Sequence, residues 1–251
     1  MNTLRIALLG YGRMGKTIEE LAQRRGHAII LRATRHSPAT AAALSGADVA
    51  MDFSCAEAVA HHGALCSEVG IPLVIGTTGW NLDDAFIRSV AERIPVVIGA
   101  NFSVGIAIVS RLAAELAQML HPPLEYQIHV HEMHHRAKQD APSGTALLLA
   151  RTIAEHSAIE RPILPAPHKL PPPSEAITIS SARVGLVAGT HTIVADSEAD
   201  TIELTHRAKS RHGFALGAIL AAEWIRGKQP GIYHFPAIAF DVFAAAWHQR
   251  T

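Results

Sequence analysis

Residues 134–145 combine proton donors, fixed cations and a helix-start pattern within one short stretch of chain. His134 and His135 stand side by side, and Arg136 and Lys138 follow them. Histidine is the side chain that titrates nearest neutral pH, so either imidazole is able to donate a proton to a substrate. Ser143–Thr145 precede an apolar run and predict a helix start, whose positive end favours carboxylate or phosphate. The stretch is therefore a candidate anion site with proton donors beside it.

Two other interpretations of this stretch remain open from the residues alone. In the first, it is a solvated polar loop that ends in an ordinary helix cap and carries no chemistry. In the second, it is part of a metal site, because imidazoles at alternate strand positions share one face. That site would use His129, His131, Glu132, His134 and His135. We expect no metal, since histidines often serve only as hydrogen-bonding groups.

A glycine-rich loop near the start of the chain predicts a site for a dinucleotide. Gly10, Gly12 and Gly15 follow the first predicted strand and open a helix, as in the dinucleotide-binding fingerprint. That fingerprint places an acidic residue at the end of the second strand to bind the ribose of NAD. This chain has Arg35 and His36 there instead, which suit the 2′-phosphate of NADP. These cations favour NADPH. In the alternative interpretation they merely face solvent, and NADH therefore stays a candidate cofactor.

Small and polar residues follow three further predicted strands, at the points where those strands end. They are Asp52–Ser54, Gly76–Gly79 and Ala100–Ser103. Ligands of open α/β sheets bind outside the carboxyl ends of the strands. Small residues and hydroxyls there let a flat ring approach the backbone. Each segment taken separately is equally typical of turns, so it is their shared placement that indicates a ligand site.

The elements that position these groups follow from the pattern of apolar residues. In the first part of the chain, short aliphatic runs alternate with amphipathic segments, which predicts a parallel sheet covered by helices. The predicted strands are Leu4–Leu9, Ala28–Ala33, Val49–Phe53, Leu73–Ile75 and Val96–Ile98. The predicted helices between them are Arg13–Arg25, Ala56–Val69 and Leu82–Arg93.

The middle of the chain predicts a different arrangement. Gly105–Leu120 has helical spacing and stops at Pro122 and Pro123. Next come an extended run, a helix and a proline-rich loop, which are Tyr126–Val130, Gly144–Ala154 and Arg161–Pro173. Three alternating segments then predict an antiparallel sheet. They are Ala176–Arg183, His191–Ala195 and Thr201–His206.

The last part of the chain predicts a helix over Phe214–Ile225 and a mixed apolar tail over Phe235–Phe243. The simplest architecture is of the α/β class, a Rossmann-type doubly wound parallel sheet with an inserted α+β domain. We expect a dinucleotide-binding domain over residues 1–104, completed by the returning segment 211–251. The inserted domain, for substrate binding and oligomerisation, is expected over residues 105–210.

Composition limits the class of protein. The 22 basic and 22 acidic residues cancel, which argues against a globally basic nucleic-acid binder, and a hydrophobic content of 49% is ample for a packed core. Cys55 and Cys66 are too few for a disulfide scaffold and suit a reducing compartment. We see no signal peptide and no apolar run long enough to span a membrane, so we expect a cytoplasmic protein.

The chain resembles the dihydrodipicolinate reductase family over nearly its whole length. The most specific match is residues 132–146, where a glutamate, paired histidines, a lysine and an Asp-Ala-Pro-Ser-Gly-Thr run follow one another. Supporting matches are the glycine loop, Gly76–Gly79, Asn101–Ser103, Arg183 with Gly189 and His191, and His206–Ala208 with Arg211 and Phe214. The resemblance implies reduction of the cyclic dicarboxylate 4-hydroxy-tetrahydrodipicolinate by NADPH or NADH, in diaminopimelate and lysine biosynthesis.

The resemblance also implies roles for individual residues. His134 is the implied general acid, and Lys138 is the cation that polarises or protonates the substrate. The implied contacts of the substrate carboxylates are His135, Ser143, Gly144 and Thr145. The implied cofactor contacts are Gly10, Gly12, Arg13, Met14 and Gly15 at the pyrophosphate, Arg35 at the adenosine end, and Gly76, Thr78, Ala100, Phe102, Arg211 and Phe214 near the nicotinamide. The family is usually tetrameric, so we expect a homotetramer, without nucleic acid or membrane partners.

Elementary chemistry agrees with these roles. Hydride addition leaves negative charge on the substrate, which a fixed cation and a proton donor stabilise, and a hinge closure is expected to bring donor and acceptor together. Three departures from the family leave the phosphate contacts and the cofactor preference open: a shorter glycine loop, no acidic residue after the second strand, and a brief segment 37–48. A nucleotide-sensing regulator or another two-domain oxidoreductase would not require residues 132–146.

Overall fold

A computed structural model describes residues 3–81, 85–120, 124–167 and 169–248. The chain divides into two compact units. Unit 1 consists of Met1–Val104 and Arg211–Thr251, and unit 2 consists of Gly105–Ser210. Among the described residues, no helix is both long enough and apolar enough to cross a membrane.

The strands and helices alternate through most of the chain. The strands are β1 (Arg5–Leu9), β2 (Ala28–Ala33), β3 (Val49–Asp52), β4 (Leu73–Ile75), β5 (Pro95–Ile98), β6 (Gln127–His134), β7 (Ile163–Pro165), β8 (Ile177–Arg183), β9 (Thr190–Asp196), β10 (Thr201–Arg207) and β11 (Gly231–His234). The helices are α1 (Arg13–Arg24), α2 (Ala41–Leu44), α3 (Val59–Val69), α4 (Ala85–Ala91), α5 (Val104–Met119), α6 (Gly144–His156), α7 (His212–Ile225) and α8 (Phe235–His248).

Unit 1 is built on a parallel sheet of six strands in the order β11-β5-β4-β3-β1-β2. The five strands predicted from the apolar runs are present, and every residue of β3, β4 and β5 is buried, as expected for strands covered on both faces. The sequence missed β11, the edge strand beside β5. The apolar tail predicted over Phe235–Phe243 lies within the helix α8, Phe235–His248, a conformation that the sequence analysis did not assign.

The predicted helices of unit 1 are present with different ends. The predicted helix 56–69 begins as a short 3-10 turn over Ala56–Ala58 and becomes α-helical only in α3. The predicted helix 82–93 is represented by α4, and its first three predicted residues, 82–84, lie outside the described residues. The predicted stop at Pro122 and Pro123 also lies outside them, and α5 ends at Met119.

Unit 2 contains a mixed sheet of five strands in the order β10-β9-β6-β8-β7. The prediction of a purely antiparallel sheet is wrong, because β8 pairs with β6 in parallel. Only the β6–β9 and β9–β10 pairs are antiparallel. The helix α6 lies between β6 and β8 in the chain, and such a crossover joins parallel neighbours. The proline-rich segment is not wholly a loop, since it contains the edge strand β7.

One face of the unit 2 sheet packs against helices α5 and α6. In the core of unit 2, Ile128 and Val130 of the central strand β6 pack against apolar residues of both helices. The other face of the sheet carries polar side chains that hydrogen-bond to one another. His129 bonds to Thr178 at 2.7 Å and to Ser180 at 2.8 Å. The alternation of β6 therefore separates an apolar face from a polar one.

A buried ion cluster in unit 1 ties α7 to α1 and β2. Arg25 donates to both carboxylate oxygens of Glu223 at 2.8 and 2.9 Å, and His27 Nε2 lies 2.8 Å from the same carboxylate. The Leu4 amide donates to His27 Nδ1, so His27 donates from Nε2 to Glu223. Burial would raise the pKa of Glu223, but the hydrogen bonds from His27 and Arg25 outweigh it and the pKa is lowered.

We expect Glu223→Gln to lower the free energy of unfolding at pH 7 by about 3 kcal/mol, because it leaves the buried Arg25 without its counter-charge. The contribution of Glu223 is present at neutral pH and is lost as the pH falls through its lowered pKa. Denaturant unfolding measures the change. Glu20→Gln, at the exposed Arg24–Glu20 pair, is the control and is expected to cost less than about 0.5 kcal/mol. Equal losses in the two variants would contradict a structural role for the buried cluster.

Candidate active site

The strand β6 places a carboxylate and an imidazole on its buried face. Ile128, Val130, Glu132 and His134 alternate with half-buried residues along the strand. His134 is therefore the last residue of β6 rather than the first residue of a polar loop. Glu132 is 0% exposed, and a carboxylate in that position is stable only when it is paired and hydrogen-bonded.

Glu132 is held by His134 of its own strand and by groups from two other parts of unit 2. Its Oε1 accepts from Arg183 Nη2 at 2.8 Å and from the Ser143 amide at 3.3 Å, and its Oε2 contacts His134 Nδ1. Burial alone would raise the pKa of Glu132, but hydrogen bonds from Arg183, Ser181 and His134 outweigh it and the pKa is lowered. Glu132 is therefore ionised at neutral pH and accepts hydrogen bonds only.

The ionised Glu132 fixes the tautomer of His134. Because a carboxylate accepts a proton and does not donate one, His134 Nδ1 carries hydrogen and Nε2 is the nitrogen that gains or loses a proton. Burial is the main reason that the pKa of His134 lies below its ordinary value, with Lys138 and Arg183 lowering it further and Glu132 opposing them. His134 is thus mainly neutral at pH 7, and its protonated form is a stronger acid than an ordinary imidazolium.

Glycine and histidine surround the titrating nitrogen. A Cβ at Gly189, whose φ is +149°, would lie 3.0 Å from Nε2 of His134, so the absence of a side chain leaves room there. The ring of His191 packs edge-on at 5.1 Å between ring centroids. Burial lowers the pKa of His191 to about 4, with the nearby charge of His134 as the second cause. His191 is therefore neutral and adds no competing cation.

Lys138 lies in the loop after β6 and is paired with Asp140. Its Nζ donates to the two carboxylate oxygens at 2.7 and 2.9 Å. The Lys138 pair is the main cause of the lowered pKa of Asp140, and the backbone of Gly144 contributes. Arg183 anchors this loop, because its Nε donates to the carbonyl of Lys138 at 3.3 Å while Nη2 holds Glu132. One guanidinium therefore links the buried carboxylate to the loop that carries Lys138.

The predicted helix start is present, and one of its backbone N–H groups is already hydrogen-bonded to a side chain of the protein. Ser143 is the N-cap of α6 and accepts from the Ala146 amide at 3.2 Å. Its hydroxyl also lies 3.1 Å from His191 Nε2, and Ser143 is only 2% exposed. Gly144, by contrast, is exposed, and Thr145 is half-buried in the first turn. His135 directly follows β6 and is half-buried.

The structure brings together Glu132, His134 and His191, whose ligand atoms lie within 4.8 Å of one another. Such a group has the donor types of a metal site. It differs from the metal alternative raised by the sequence, because His131 lies on the polar face and bonds to Ser180. Arg183 already occupies one oxygen of Glu132, and the charges of Lys138 and Arg183 lower the pKa of His134. Both cations oppose a further positive charge at this place.

The structure places four residues in this cluster that the sequence analysis named without giving them a catalytic or binding role in the reaction. They are Glu132, Asp140, Arg183 and His191. The sequence analysis named Glu132 in the metal alternative and in the family match, and its place as a carboxylate on the apolar side of an alternating strand indicates that it is buried. Arg183 is 51 residues away from Glu132 in the chain, and no local pattern predicts that pairing.

In unit 1 the predicted glycine loop packs closely on a neighbouring strand end and leads into the start of α1. Gly10 has φ of +98°, and a Cβ there would overlap the backbone of Phe53 and Ser54. Gly12 is the N-cap of α1, where no side chain bonds to the helix end. The first-turn N–H groups of α1 are therefore available to an anion. The next two predicted contacts, Arg13 and Met14, are the first residues of this helix.

The second predicted cofactor region lies at the carboxyl ends of β3, β4 and β5, as parallel pairing requires. The buried Asp52 holds two of these ends together, since it accepts from Thr77 Oγ1 at 2.7 Å and Ser54 Oγ at 2.6 Å. Gly76 is half-buried, and Thr78 and Ala100 are exposed at this edge. Phe102 differs, because it is 2% exposed and packs on Phe235.

The predicted contacts at the outer parts of unit 1 are less enclosed. Arg35 is exposed just beyond β2, whereas the neighbouring Arg32 is paired with Glu19. Arg211 is the N-cap of α7 and is exposed, and Phe214 is half-buried in the first turn of that helix. Arg32 and Arg35 are both exposed, but Arg35, unlike Arg32, forms no ion pair with any described residue.

Two models of one protein family together match parts of both units. Residues 4–102 match the family model of the dihydrodipicolinate reductase N-terminus, and residues 105–238 match that of its C-terminus. A 4-hydroxy-tetrahydrodipicolinate reductase of Christiangramia forsetii is 38% identical over 242 residues, which cover 96% of this chain and 99% of that protein. A protein of the same name from Magnetococcus marinus is 43% identical over 194 residues, which cover 74% of this chain and 71% of that one.

A solved structure has the same fold. It is the dipicolinate-bound dihydrodipicolinate reductase of Paenisporosarcina sp. TG-14, with a TM-score of 0.76 and 22% identity, covering 94% of this chain and all of that one. At that identity the likeness concerns the fold alone. The two family models and the relative that matches over nearly its full length decide the family: this chain belongs to the dihydrodipicolinate reductases.

Proposed function

We propose that the polar cluster of unit 2 is the catalytic site of a 4-hydroxy-tetrahydrodipicolinate reductase. The chain reduces this cyclic dicarboxylate to tetrahydrodipicolinate with a nicotinamide cofactor, in diaminopimelate and lysine biosynthesis. The observation that carries the proposal is an imidazole whose Nδ1 faces a buried, ionised carboxylate, with Lys138 near enough for its charge to lower the pKa of that imidazole. A proton donor and a fixed cation are what hydride addition to a conjugated dianion requires.

His134 is the proposed general acid. Its Nε2 carries the transferable proton, since Nδ1 is committed to Glu132. The nicotinamide, when bound, would supply the hydride and His134 Nε2 would supply the proton, and the 4-hydroxyl group of the substrate leaves as water, so that atoms and electrons balance. The lowered pKa of His134 makes its protonated form a stronger acid than an ordinary imidazolium. A bound dianion raises the protonated fraction, because negative charge near the ring favours the imidazolium.

Lys138 and the start of α6 are the proposed carboxylate-binding groups. Lys138 Nζ supplies a fixed positive charge, and the N–H groups of the first turn of α6 supply donors at the positive end of the helix. Gly144, Thr145 and His135 are proposed substrate contacts. Ser143 is proposed to act mainly through the helix start, because its hydroxyl already caps α6.

Unit 1 is the proposed dinucleotide-binding domain. The loop Gly10–Gly15 and the amino-terminal end of α1 hold the pyrophosphate, as the capping geometry of Gly12 supports. Gly76, Thr78 and Ala100 surround the nicotinamide, and Phe102 supports that region from the core rather than by direct contact of its ring. Arg211 and Phe214 are proposed to lie beside it from α7.

NADPH is the proposed preferred cofactor, through Arg35. We expect Arg35→Ala to raise the KM for NADPH about tenfold, the loss of roughly 1.4 kcal/mol of a charged contact, while the KM for NADH stays unchanged. Steady-state kinetics with each cofactor measure the change. Arg24→Ala removes an exposed arginine of α1 and is the matched control. Equal increases for the two cofactors in Arg35→Ala would exclude a 2′-phosphate contact.

The proposed assembly is a homotetramer in the cytoplasm. The polar face of the unit 2 sheet, with the hydrogen-bonded His129, His131, Thr178 and Ser180, is the proposed contact surface between copies. Both cysteines are free, which agrees with a reducing compartment.

The deciding experiment follows the absorbance of NADPH and then of NADH. The substrate is generated in place by a dihydrodipicolinate synthase from pyruvate and aspartate semialdehyde. We expect a decay that requires the synthase and is faster with NADPH. Nucleotide binding without any decay would overturn the proposed reaction and favour a nucleotide-sensing protein.

A further inference from the structure

A buried carboxylate lies at the carboxyl end of β3 in unit 1. Asp52 is the last residue of this strand and is 0% exposed. Its Oδ1 accepts from the Ser54 amide at 3.0 Å, and the hydroxyls of Ser54 and Thr77 donate to the same oxygen at 2.6 and 2.7 Å. Its Oδ2 lies 2.7 Å from His62 Nδ1. These donors match the ionised form of Asp52, because a carboxylate only accepts hydrogen bonds.

The negative charge of Asp52 has no permanent cation beside it. Among the residues that the structure describes, no lysine or arginine pairs with this carboxylate, and its partner His62 carries a charge only when protonated. The buried Glu132 and Glu223, by contrast, are each paired with an arginine. The charge also acts on the core around it, because burial raises the pKa of Cys66 in α3 to about 12 and the charge of Asp52 is the second cause. A buried charge of this kind favours a positive charge that arises nearby.

Asp52 is hydrogen-bonded to the segment that forms the proposed nicotinamide region. Thr77, whose hydroxyl donates to Asp52, stands between Gly76 and Thr78, which are two of the proposed nicotinamide contacts. The amides of Gly76 and Thr77 also donate to the Asp52 carbonyl, at 2.8 and 3.2 Å. Gly76 is half-buried and Thr78 is exposed, so a flat ring has access to the backbone at this edge. The carboxylate therefore lies one hydrogen bond away from the residue between those two contacts.

Hydride donation creates a positive charge in this region. The hydride carries two electrons and one proton to the substrate, and the neutral dihydronicotinamide becomes a cationic nicotinamide. The oxidised cofactor therefore differs from the reduced one by a positive charge on the ring. A fixed carboxylate stabilises the cationic ring more than the neutral one, and a buried charge is only weakly screened by salt.

We propose that the charge of Asp52 stabilises the oxidised form of the nicotinamide cofactor relative to the reduced form and thereby promotes hydride donation. This inference rests on the proposed function, in which unit 1 binds that cofactor. Asp52 acts through its charge and is not itself a contact of the ring. The charge is separable from the link between the strand ends, because asparagine keeps an acceptor oxygen for Ser54 and Thr77 but carries no charge.

Titration calorimetry with NADP⁺ and with NADPH tests the proposal in Asp52→Asn. We expect the Kd for NADP⁺ to rise about tenfold, as one unit charge does at an effective dielectric constant of about 20, while the Kd for NADPH changes by about twofold at most. Loosened strand ends alone would weaken the binding of both forms alike, because the two forms share their remaining contacts. An unchanged ratio of the two Kd values would therefore overturn the proposal, whatever the activity of the variant.

Asp48→Asn is the matched control, because it removes a carboxylate at the opposite end of the same strand. Asp48 directly precedes β3 and accepts from the Arg5 amide at 2.7 Å. Four residue steps along a strand correspond to roughly 13 Å. We expect Asp48→Asn to leave the Kd values for NADP⁺ and NADPH unchanged.

Ser54→Lys keeps the proposal testable if Asp52→Asn fails to fold, which binding of adenosine 2′,5′-bisphosphate reports. The half-buried Ser54 already contacts Asp52, so a lysine there places an ammonium group beside the carboxylate. We expect the ratio of the two Kd values to shift in the same direction as in Asp52→Asn, and an unchanged ratio would overturn the proposal. If the unchanged protein binds neither NADP⁺ nor NADPH, the proposed function itself is overturned, and this inference with it.

Discussion

Lys138→Ala is expected to lower kcat by about 10³-fold, equivalent to roughly 4 kcal/mol of transition-state stabilisation. The substitution removes the fixed cation of the loop after β6 and leaves the carboxylate of Asp140 without its partner. Negative charge that develops on the substrate is then uncompensated. The Kd for NADPH is expected to stay unchanged, because the residues proposed to bind the cofactor belong to unit 1.

Single-turnover kinetics and NADPH fluorescence titration separate these two effects. Lys169→Ala removes an exposed lysine from the same unit and is expected to retain full turnover. Lys138→Ala both removes the cation and leaves the carboxylate of Asp140 without its partner. Asp140→Asn keeps the cation but removes that carboxylate, and so separates the two effects. If Lys138→Ala turns over at the normal rate, Lys138 has no part in the mechanism.

Glu132→Gln is expected to lower kcat at pH 7 by about 10²-fold. Glu132 is a positioning residue, which acts through His134 by fixing its tautomer and raising its pKa against the effect of burial. Because the acid form of His134 is the protonated one, kcat/KM of the unchanged protein falls as the pH rises through the pKa of His134. Without the carboxylate, that fall is expected to begin at a lower pH.

The pH profile distinguishes positioning from a merely structural role. A variant that is only less stable loses activity at every pH alike, and thermal unfolding measures that loss directly. Glu203→Gln changes an exposed glutamate of β10 in the same sheet and is expected to leave both the rate and the profile unchanged. A profile of Glu132→Gln that coincides with that of the unchanged protein would show that Glu132 does not tune His134.

The parts of the fold that the sequence predicts are those with strong local patterns. The strands β1, β3, β4 and β5 read as continuous apolar runs because both faces of the sheet are covered. β11 escapes the prediction because Gly231–His234 contains a single aliphatic residue and takes its strand geometry from pairing with β5. The parallel partner of β8 was also missed, although a helix between two strands favours parallel pairing.

The candidate site likewise contains residues that a local pattern predicts and a residue pair that only strand pairing brings together. His134 and Lys138 lie within one contiguous signature. Their residue types alone suggest a proton donor for His134 and a fixed cation for Lys138. Arg183 is only a supporting match in the sequence, and its pairing with Glu132 follows from the register of β6 and β8, which aligns Arg183 with His134. Such a partner is fixed by pairing across the sheet, and the order of residues along the chain does not contain it.

The Lys138–Asp140 pair has a consequence for ligand selection. Lys138 Nζ already contacts both carboxylate oxygens of Asp140. In the proposed function, a substrate carboxylate that binds Lys138 therefore takes the place of the Asp140 carboxylate. Such an exchange nearly cancels in Coulomb energy, so a lone monocarboxylate gains little by entering. A molecule with a second carboxylate at the correct spacing gains from the remaining donors as well. If Lys138 binds a substrate carboxylate as proposed, we expect Asp140 to compete with that carboxylate and so to favour dicarboxylates over monocarboxylates.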